Sequence, residues 1–318
     1  MTFQDVEAAR SVYHQKRKRI WTIIGIIAGI LIGIFVLVMI LSKSFSSIAR
    51  LDIVFPPFIV FPFSILIIGF VISTTTTRTL ADNYRRAYKA YFVEKNLQAV
   101  FTDLSYSHEK GIDPKFLAAT GMINTGDVYN SNDYTTGRYK NVLFTQADVN
   151  ISVEQTDSDG DTTYVTIFFG RFMIFEFPKK FNFKLEIVGK KFYAYRKPGK
   201  NSTTGRKMQK ISTESNEFND SFRIFGEDGF EAYYILDPAF MVKMMNINAR
   251  YDGKIFFGFV DNHLIIGLND GKDSFEPPKK ISQPIDEAKE NQKISSDIKV
   301  ITDFVDQLSL SRGLFKQD

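Results

Sequence analysis

The sequence predicts an α+β protein: an N-terminal two-helix hairpin, a helical stalk, then a mostly antiparallel, β-rich domain with packed helices. Three observations predict it. Two uncharged apolar runs, residues 20–41 and 53–72, stand near the N-terminus. From Asn141 onward, stretches rich in Phe, Val, Ile and Thr alternate with turn residues such as Asp159-Gly160. Asp237-Pro238 opens a helix, and Ile298, Ile301, Val305 and Leu308 recur at helical spacing near the C-terminus.

The first run is 22 residues long. At about 1.5 Å per residue it matches a hydrocarbon core of roughly 30 Å. It exceeds the apolar region of a cleavable leader and lacks a small-residue cleavage site, so a retained transmembrane helix is expected. The second run contains Pro56, Pro57 and Pro62; the first two suit an entry turn and Pro62 a kink, with a re-entrant segment as the alternative. Residues 42–52 are too few for an intervening domain. Basic residues flank the outer ends (Arg10, Lys16, Arg17, Lys18 and Arg19; Arg78, Arg85, Arg86, Lys89 and Lys95), against Lys43 and Arg50 between the runs. That asymmetry predicts a multi-pass protein of the cell membrane with both termini cytoplasmic. Gly25, Gly29 and Gly33 share one helix face, for packing against the second span or for a seam with another copy or another membrane protein.

The expected organisation is a basic N-terminus (1–19), the hairpin (20–72), a stalk (73–104), the α+β domain (105–270), a proline-containing linker (271–294) and a C-terminal helix and tail (295–318). In the stalk Leu80, Tyr84, Ala87, Tyr88, Tyr91 and Leu97 recur at steps of three and four. Residues 121–137 are rich in Gly, Asn and Asp and predict a loop. Strands are expected over 141–154, 162–177, 183–188, 191–195, 222–225 and 230–236. A hairpin over 254–260 and 263–268 would turn at Asp261-Asn262. Helices are expected from Pro238 and from a cap at Ser295 or Ser296.

Composition removes several chemistries. Cysteine is absent, which excludes disulfides, thiolate metal sites and a cysteine nucleophile. Only His14, His108 and His263 supply imidazole. No phosphate-binding glycine loop, nucleophile elbow or zinc-binding helix motif is present. The acidic turn Asp157–Asp161 does not match a calcium loop, because Gly160 and Phe168 occupy the wrong positions, so a hairpin turn is preferred. No cofactor or metal is implied.

Charge is strongly segregated. The chain carries +4, yet Lys179, Lys180, Lys184, Lys190, Lys191, Arg196, Lys197, Lys200, Arg206, Lys207 and Lys210 face Glu186 alone within residues 179–210. Acidic clusters stand on either side: Asp148, Glu154, Asp157, Asp159 and Asp161 before it, and Glu214, Glu217, Asp220, Glu227 and Asp228 after it. Three readings compete: a solvated hairpin balanced by those clusters, a surface for anionic lipid, or a surface for an acidic partner or nucleic acid. Interleaved Phe181, Phe183, Phe192, Tyr193 and Tyr195 could stack bases, but their alternation assigns some of them to the core, and nucleic acid is not expected.

Four segments carry a family resemblance: SNDYTTGRYKNVLF (131–144), FFGRFMIFEFPKKF (168–181), STESNEFNDSFRIF (212–225) and EAYYILDPAFMVKM (231–244). Following two apolar runs, they resemble a family of bacterial membrane proteins catalogued as domain-of-unknown-function family 3137, from the first run to about Leu268. The resemblance implies no activity, cofactor or catalytic residues.

The expected function is a membrane-anchored cytoplasmic interaction or scaffold module, with the lipid bilayer as a partner and no catalysis. The alternative is a membrane-surface enzyme using carboxylate, Tyr or Arg groups, with Arg138, Arg171, Glu214, Glu217 and Arg223 converging in one cleft.

Overall fold

The computed structural model describes residues 1–44, 55–197, 207–227 and 229–310. The chain divides into two compact units, one of residues 1–91 with 277–287 and one of residues 92–276 with 288–318.

Two long helices form the first unit. Helix α1 (Phe3–Ser44) starts with a reciprocal cap, in which Asp5 N donates to Thr2 Oγ1 and Thr2 N donates to Asp5 Oδ2. Helix α2 (Phe55–Tyr88) runs antiparallel to it, since Tyr13 meets Tyr84 at 6.5 Å and Ile24 packs on Gly69. Residues 277–287 are tied to α1: Arg10 donates to the Ile281 carbonyl and to Glu7, and Ile285 N donates to Glu7.

Among the described residues, no helix is long and apolar enough to cross a membrane. This overturns the transmembrane hairpin, the membrane class and the multi-pass localisation expected from the apolar runs. The first run is not a separate span but the continuation of a helix whose charged first half folds onto residues 277–287. Most of the expected loop 42–52 and the start of the second run lie outside the described residues. Among the described residues, a Cβ on Gly25, Gly29 or Gly33 would meet nothing within 4 Å, whereas one on Gly69 would come within 2.9 Å of Ile24. The close approach of the two helices therefore uses Gly69.

The second unit bears out the α+β class. Its seven strands are β1 (Thr102–Ser107), β2 (Val128–Tyr139), β3 (Val142–Thr156), β4 (Thr162–Gly189), β5 (Gln209–Ile211), β6 (Phe222–Gly226) and β7 (Ile255–Leu268). They form one antiparallel sheet in the order β1-β2-β3-β4-β6-β5, with β7 also paired to β4. After α2 come a π-helical turn (Lys89–Glu94) and α3 (Lys95–Val100). The sheet is accompanied by α4 (Pro114–Ala119), α5 (Asn216–Ser221), α6 (Gly229–Ile235), α7 (Pro238–Arg250) and α8 (Glu287–Gln307). Asp113, Ser215 and Asp237 cap α4, α5 and α7 through their side chains.

Several elements differ from the sequence expectation, each for a local reason. Residues 162–177 and 183–188 belong to one strand, β4, because Pro178, which has no N–H to give, sits where pairing to β7 is interrupted. Asp261-Asn262 does not reverse the chain. Asp261 takes φ 51° within an irregularity of β7, and the strand continues. Residues 128–137 of the expected loop lie in β2, since the sheet supplies partners that local composition does not show. Residues 191–195 contribute only an isolated bridge of Tyr195 to Ile123, and residues 230–235 are helical. Helix α8 begins at Glu287, eight residues before the expected cap at Ser295.

Both faces of the central strands are buried. On one face Ala147, Val149, Phe172 and Ile265 join Phe192 and Phe256 in a continuous core. The other carries Phe144, Gln146 and Asp148 of β3 beside Phe175, Met173 and Arg171 of β4. Helix α8 covers this second face, with Arg171 Nη1 donating to the Asp297 carbonyl at 2.8 Å. One polar residue, Gln146, and two charged ones, Asp148 and Arg171, thus lie where a helix closes over the sheet.

Candidate functional site

The basic segment divides by burial. Lys180, Lys190, Lys191, Arg196, Lys197, Lys207 and Lys210 are exposed. Lys184 is buried, with its Nζ 3.2 Å from Oε1 of fully buried Glu186, so it belongs to the interior and not to a surface patch. Burial raises the Glu186 carboxyl to about 7, with Lys184 opposing the shift. Lys200 and Arg206 lie outside the described residues, as does the side chain of Lys179. Lys191 pairs with Asp252 at 2.6 Å, which fixes it at the rim of a cleft. That cleft, about 570 Å³, is lined by Lys190, Lys191, Glu217, Val242, Met245 and Asp252 among others, Asn248 included. Val242 is half exposed, and the Asn248 amide oxygen is buried without a hydrogen-bond partner.

Arg223 holds the start of this segment. It donates to the carbonyls of Gly189 and Phe192, each at 3.0 Å, and its guanidinium lies 4.6 Å from the Tyr195 ring centre. The phenylalanines behave as alternation predicts. Phe181 and Phe192 are buried, whereas Tyr193 is exposed.

A second polar centre lies under α8. Asp148 and Arg171 are paired across β3 and β4, and both are buried. Oδ2 of Asp148 accepts from Ser274 N at 2.6 Å, while Oδ1 is buried without a partner. Asp133, fully buried, accepts from the Tyr106 hydroxyl at 2.5 Å and from Asn132 Nδ2 at 2.8 Å. One carboxylate oxygen from each of Asp133, Asp148 and exposed Asp273 lies within 4.8 Å of the others. Burial pushes the Asp148 carboxyl up to about 7; Arg171 opposes this, and Asp133 and Asp273 add to it. Burial and the neighbouring Asp133 also push the Tyr106 phenol up.

Sequence reasoning placed Asp148 only among flanking acidic residues and missed Asp133 and Asp273. The signal would have been a β-bulge, which no local motif here announces. In the β2–β3 register Asn132 faces Asp148 and Thr135 faces Gln146, so Asp133 and Tyr134 stand against Ala147 alone.

The residues named for an enzymatic site do not come together. Arg138 pairs with Asp103 at the surface, Arg171 is buried against Asp297 and Ser274, and Arg223 holds residues 189–195. Glu214 and Glu217 are not among the partners of any of the three arginines. His263 stacks edge-on with Phe116 beside a separate cleft of about 520 Å³ that also includes Lys110, Asp113 and Glu176. The turn Asp157–Asp161 is a hairpin turn, in which Oδ1 of Asp157 accepts from Asp159 N and Asp161 N.

Residues 166–310 match a family model described as "Protein of unknown function (DUF3137)". The chain resembles the DUF3137 family. The matched stretch runs from β4 through α8 and contains three of the four segments that carried the resemblance; residues 131–144 precede it. No curated protein matches the chain. Among solved structures, the crystal structure of the mycobacterial trehalose monomycolate transport factor A, TtfA, is similar. It is 9% identical, with a TM-score of 0.35, over 70% of this chain and 94% of that one. A likeness that distant carries no functional argument. The DUF3137 match likewise assigns no activity to the basic cleft or to the aspartate cluster.

Proposed function

We propose that this protein is a non-catalytic interaction module whose β-rich unit takes an acidic segment of a partner protein. The observation that carries this reading is the cleft at the basic segment. Lys190 and Lys191 stand at its wall, and Val242 and Met245 supply apolar surface beside them. An acidic peptide with interspersed apolar side chains complements Lys190 and that apolar surface, and would compete with Asp252 for Lys191. The exposed Arg196 and Lys197 extend the same charge along the chain and favour encounter with an anionic segment. The scatter of Arg138, Arg171 and Arg223 over separate partners supports binding over catalysis.

The test is fluorescence anisotropy on the full chain with a labelled peptide of alternating Glu and Leu. Saturable binding is expected, weakening as salt rises from about 50 mM to about 0.5 M. Reversal at Lys190→Glu and Lys191→Glu should abolish it. Absence of binding, equal binding by the reversed variant, or binding only to vesicles of anionic lipid would each overturn the reading.

A further inference from the structure

We propose that Asp133, Asp148 and Asp273 bind a hard divalent cation of about the size of calcium. The site is independent of the basic cleft and comes from three places in the chain: the bulge of β2, the buried face of β3 and the loop after β7. The bulge is what joins the first two. Asp133 takes φ 57°, and the extra residue it accommodates brings its carboxylate to that of Asp148.

The donor set is all carboxylate oxygen, which suits hard cations and not the softer metals that prefer thiolate or imidazole. All three donor atoms lie within 4.8 Å of one another. Ligand oxygens on opposite sides of a calcium ion are up to about 5 Å apart, so three oxygens within 4.8 Å of one another can share one such ion. Asp133 and Asp148 are 0% and 2% exposed, so they are held in place, whereas Asp273 faces solvent and leaves an entry for the ion and its waters.

The feature that points to a ligand is Oδ1 of Asp148, a buried oxygen of one member of this cluster that accepts no hydrogen bond. A carboxylate oxygen in that position has lost its water and gained no hydrogen bond, which costs free energy until another ligand supplies the contact. Arg171 does not supply the missing contact. Its Nη1 donates to the Asp297 carbonyl and its Nη2 to the Ser274 hydroxyl. The supporting contacts are also those of a cation site: Tyr106 and Asn132 orient Asp133, and Ser274 N orients Asp148.

The test is calorimetric titration of calcium into the full chain after removal of metals with a chelator. One saturable site is expected. Asp273→Asn alters an exposed side chain and spares the core, and should weaken binding by at least about tenfold. Asp148→Asn should abolish binding, with circular dichroism checking that it folds; if it does not fold, Asp273→Asn alone decides. No saturable calcium binding up to about 10 mM, well beyond the weakest protein calcium sites, would overturn the proposal. So would an unchanged affinity in Asp273→Asn, and magnesium displacing calcium at equal concentration would overturn the size assignment.

Discussion

Asp148 of β3 stands directly opposite Arg171 of β4, and the two buried, opposite charges share no hydrogen bond among the described residues. Each is held through the chain that closes over the sheet: Arg171 by Asp297 and Ser274, and Oδ2 of Asp148 by the backbone of Ser274, while Oδ1 has no hydrogen bond. The pair therefore depends on α8 and on the loop before it. The sheet supplies the register, and the covering elements supply the contacts.

Truncating Arg171 should be severely destabilising. Arg171→Met removes two hydrogen bonds and leaves Asp148 without the guanidinium beside it. The expected loss is about 3–5 kcal/mol, measured as a lower urea midpoint with little change in slope. Arg171→Lys should recover only part of it, since an ammonium cannot reproduce the planar fork that reaches two acceptors. Adding Asp148→Asn to Arg171→Met should recover a substantial share, because the uncompensated charge is gone.

The Lys184–Glu186 pair gives a pH dependence of known sign. The Glu186 carboxyl sits at about 7 in the folded chain, above its ordinary 4.5, because burial outweighs the attraction of Lys184. Its contribution to stability is complete below about pH 4.5 and is lost as pH rises through about 7. Glu186→Gln should flatten that decline when urea midpoints are compared at pH 5 and pH 8. Lys184→Met, by contrast, should steepen it and cost about 3 kcal/mol at the higher pH.

Arg223 should govern the order of the basic segment. Its donation to the Gly189 and Phe192 carbonyls, with the Tyr195 contact, holds residues 189–195 against β6. Arg223→Ala should cost about 2–3 kcal/mol. Amide exchange should accelerate over residues 190–197 more than over β3, a pattern that a uniform loss of stability would not give.

Gly170 should not tolerate a side chain. A Cβ there would lie 2.0 Å from the Leu268 carbonyl oxygen and 3.1 Å from Asp270 N, both backbone atoms that cannot swing aside. Gly170→Ala should therefore cost at least about 2 kcal/mol by forcing β4 and β7 apart. Gly160→Ala is the contrast. It has open space but φ 87°, so only backbone strain of about 1 kcal/mol is expected. Thermal unfolding of the two variants separates a steric clash from a conformational cost.

Legibility tracked how local each signal was. Asp237-Pro238 marks a helix start by itself, because a carboxylate cap and a proline at the first helical position act within four residues. The Asp157–Gly160 turn is equally local, and strands β3 and β4 flank it as expected. Residues 230–235 were misjudged because Phe, Tyr and Ile favour strands, and their helical state is decided by packing. The apolar runs showed length and lack of charge correctly, but whether a run makes a span depends on the whole helix that contains it.

The sequence by itself determined the α+β class, the antiparallel β-rich domain, the Asp237 cap of α7 and the concentration of positive charge over residues 179–210. Those follow from composition, period and short-range hydrogen bonding. Tertiary structure alone decided that Lys184 is interior while Lys190 and Lys191 line a cleft, and that Asp133, Asp148 and Asp273 converge. The physical reason is register. One extra residue in β2 and the path of the loop after β7 fix which carboxylates meet, across about 140 residues of chain that no local pattern spans.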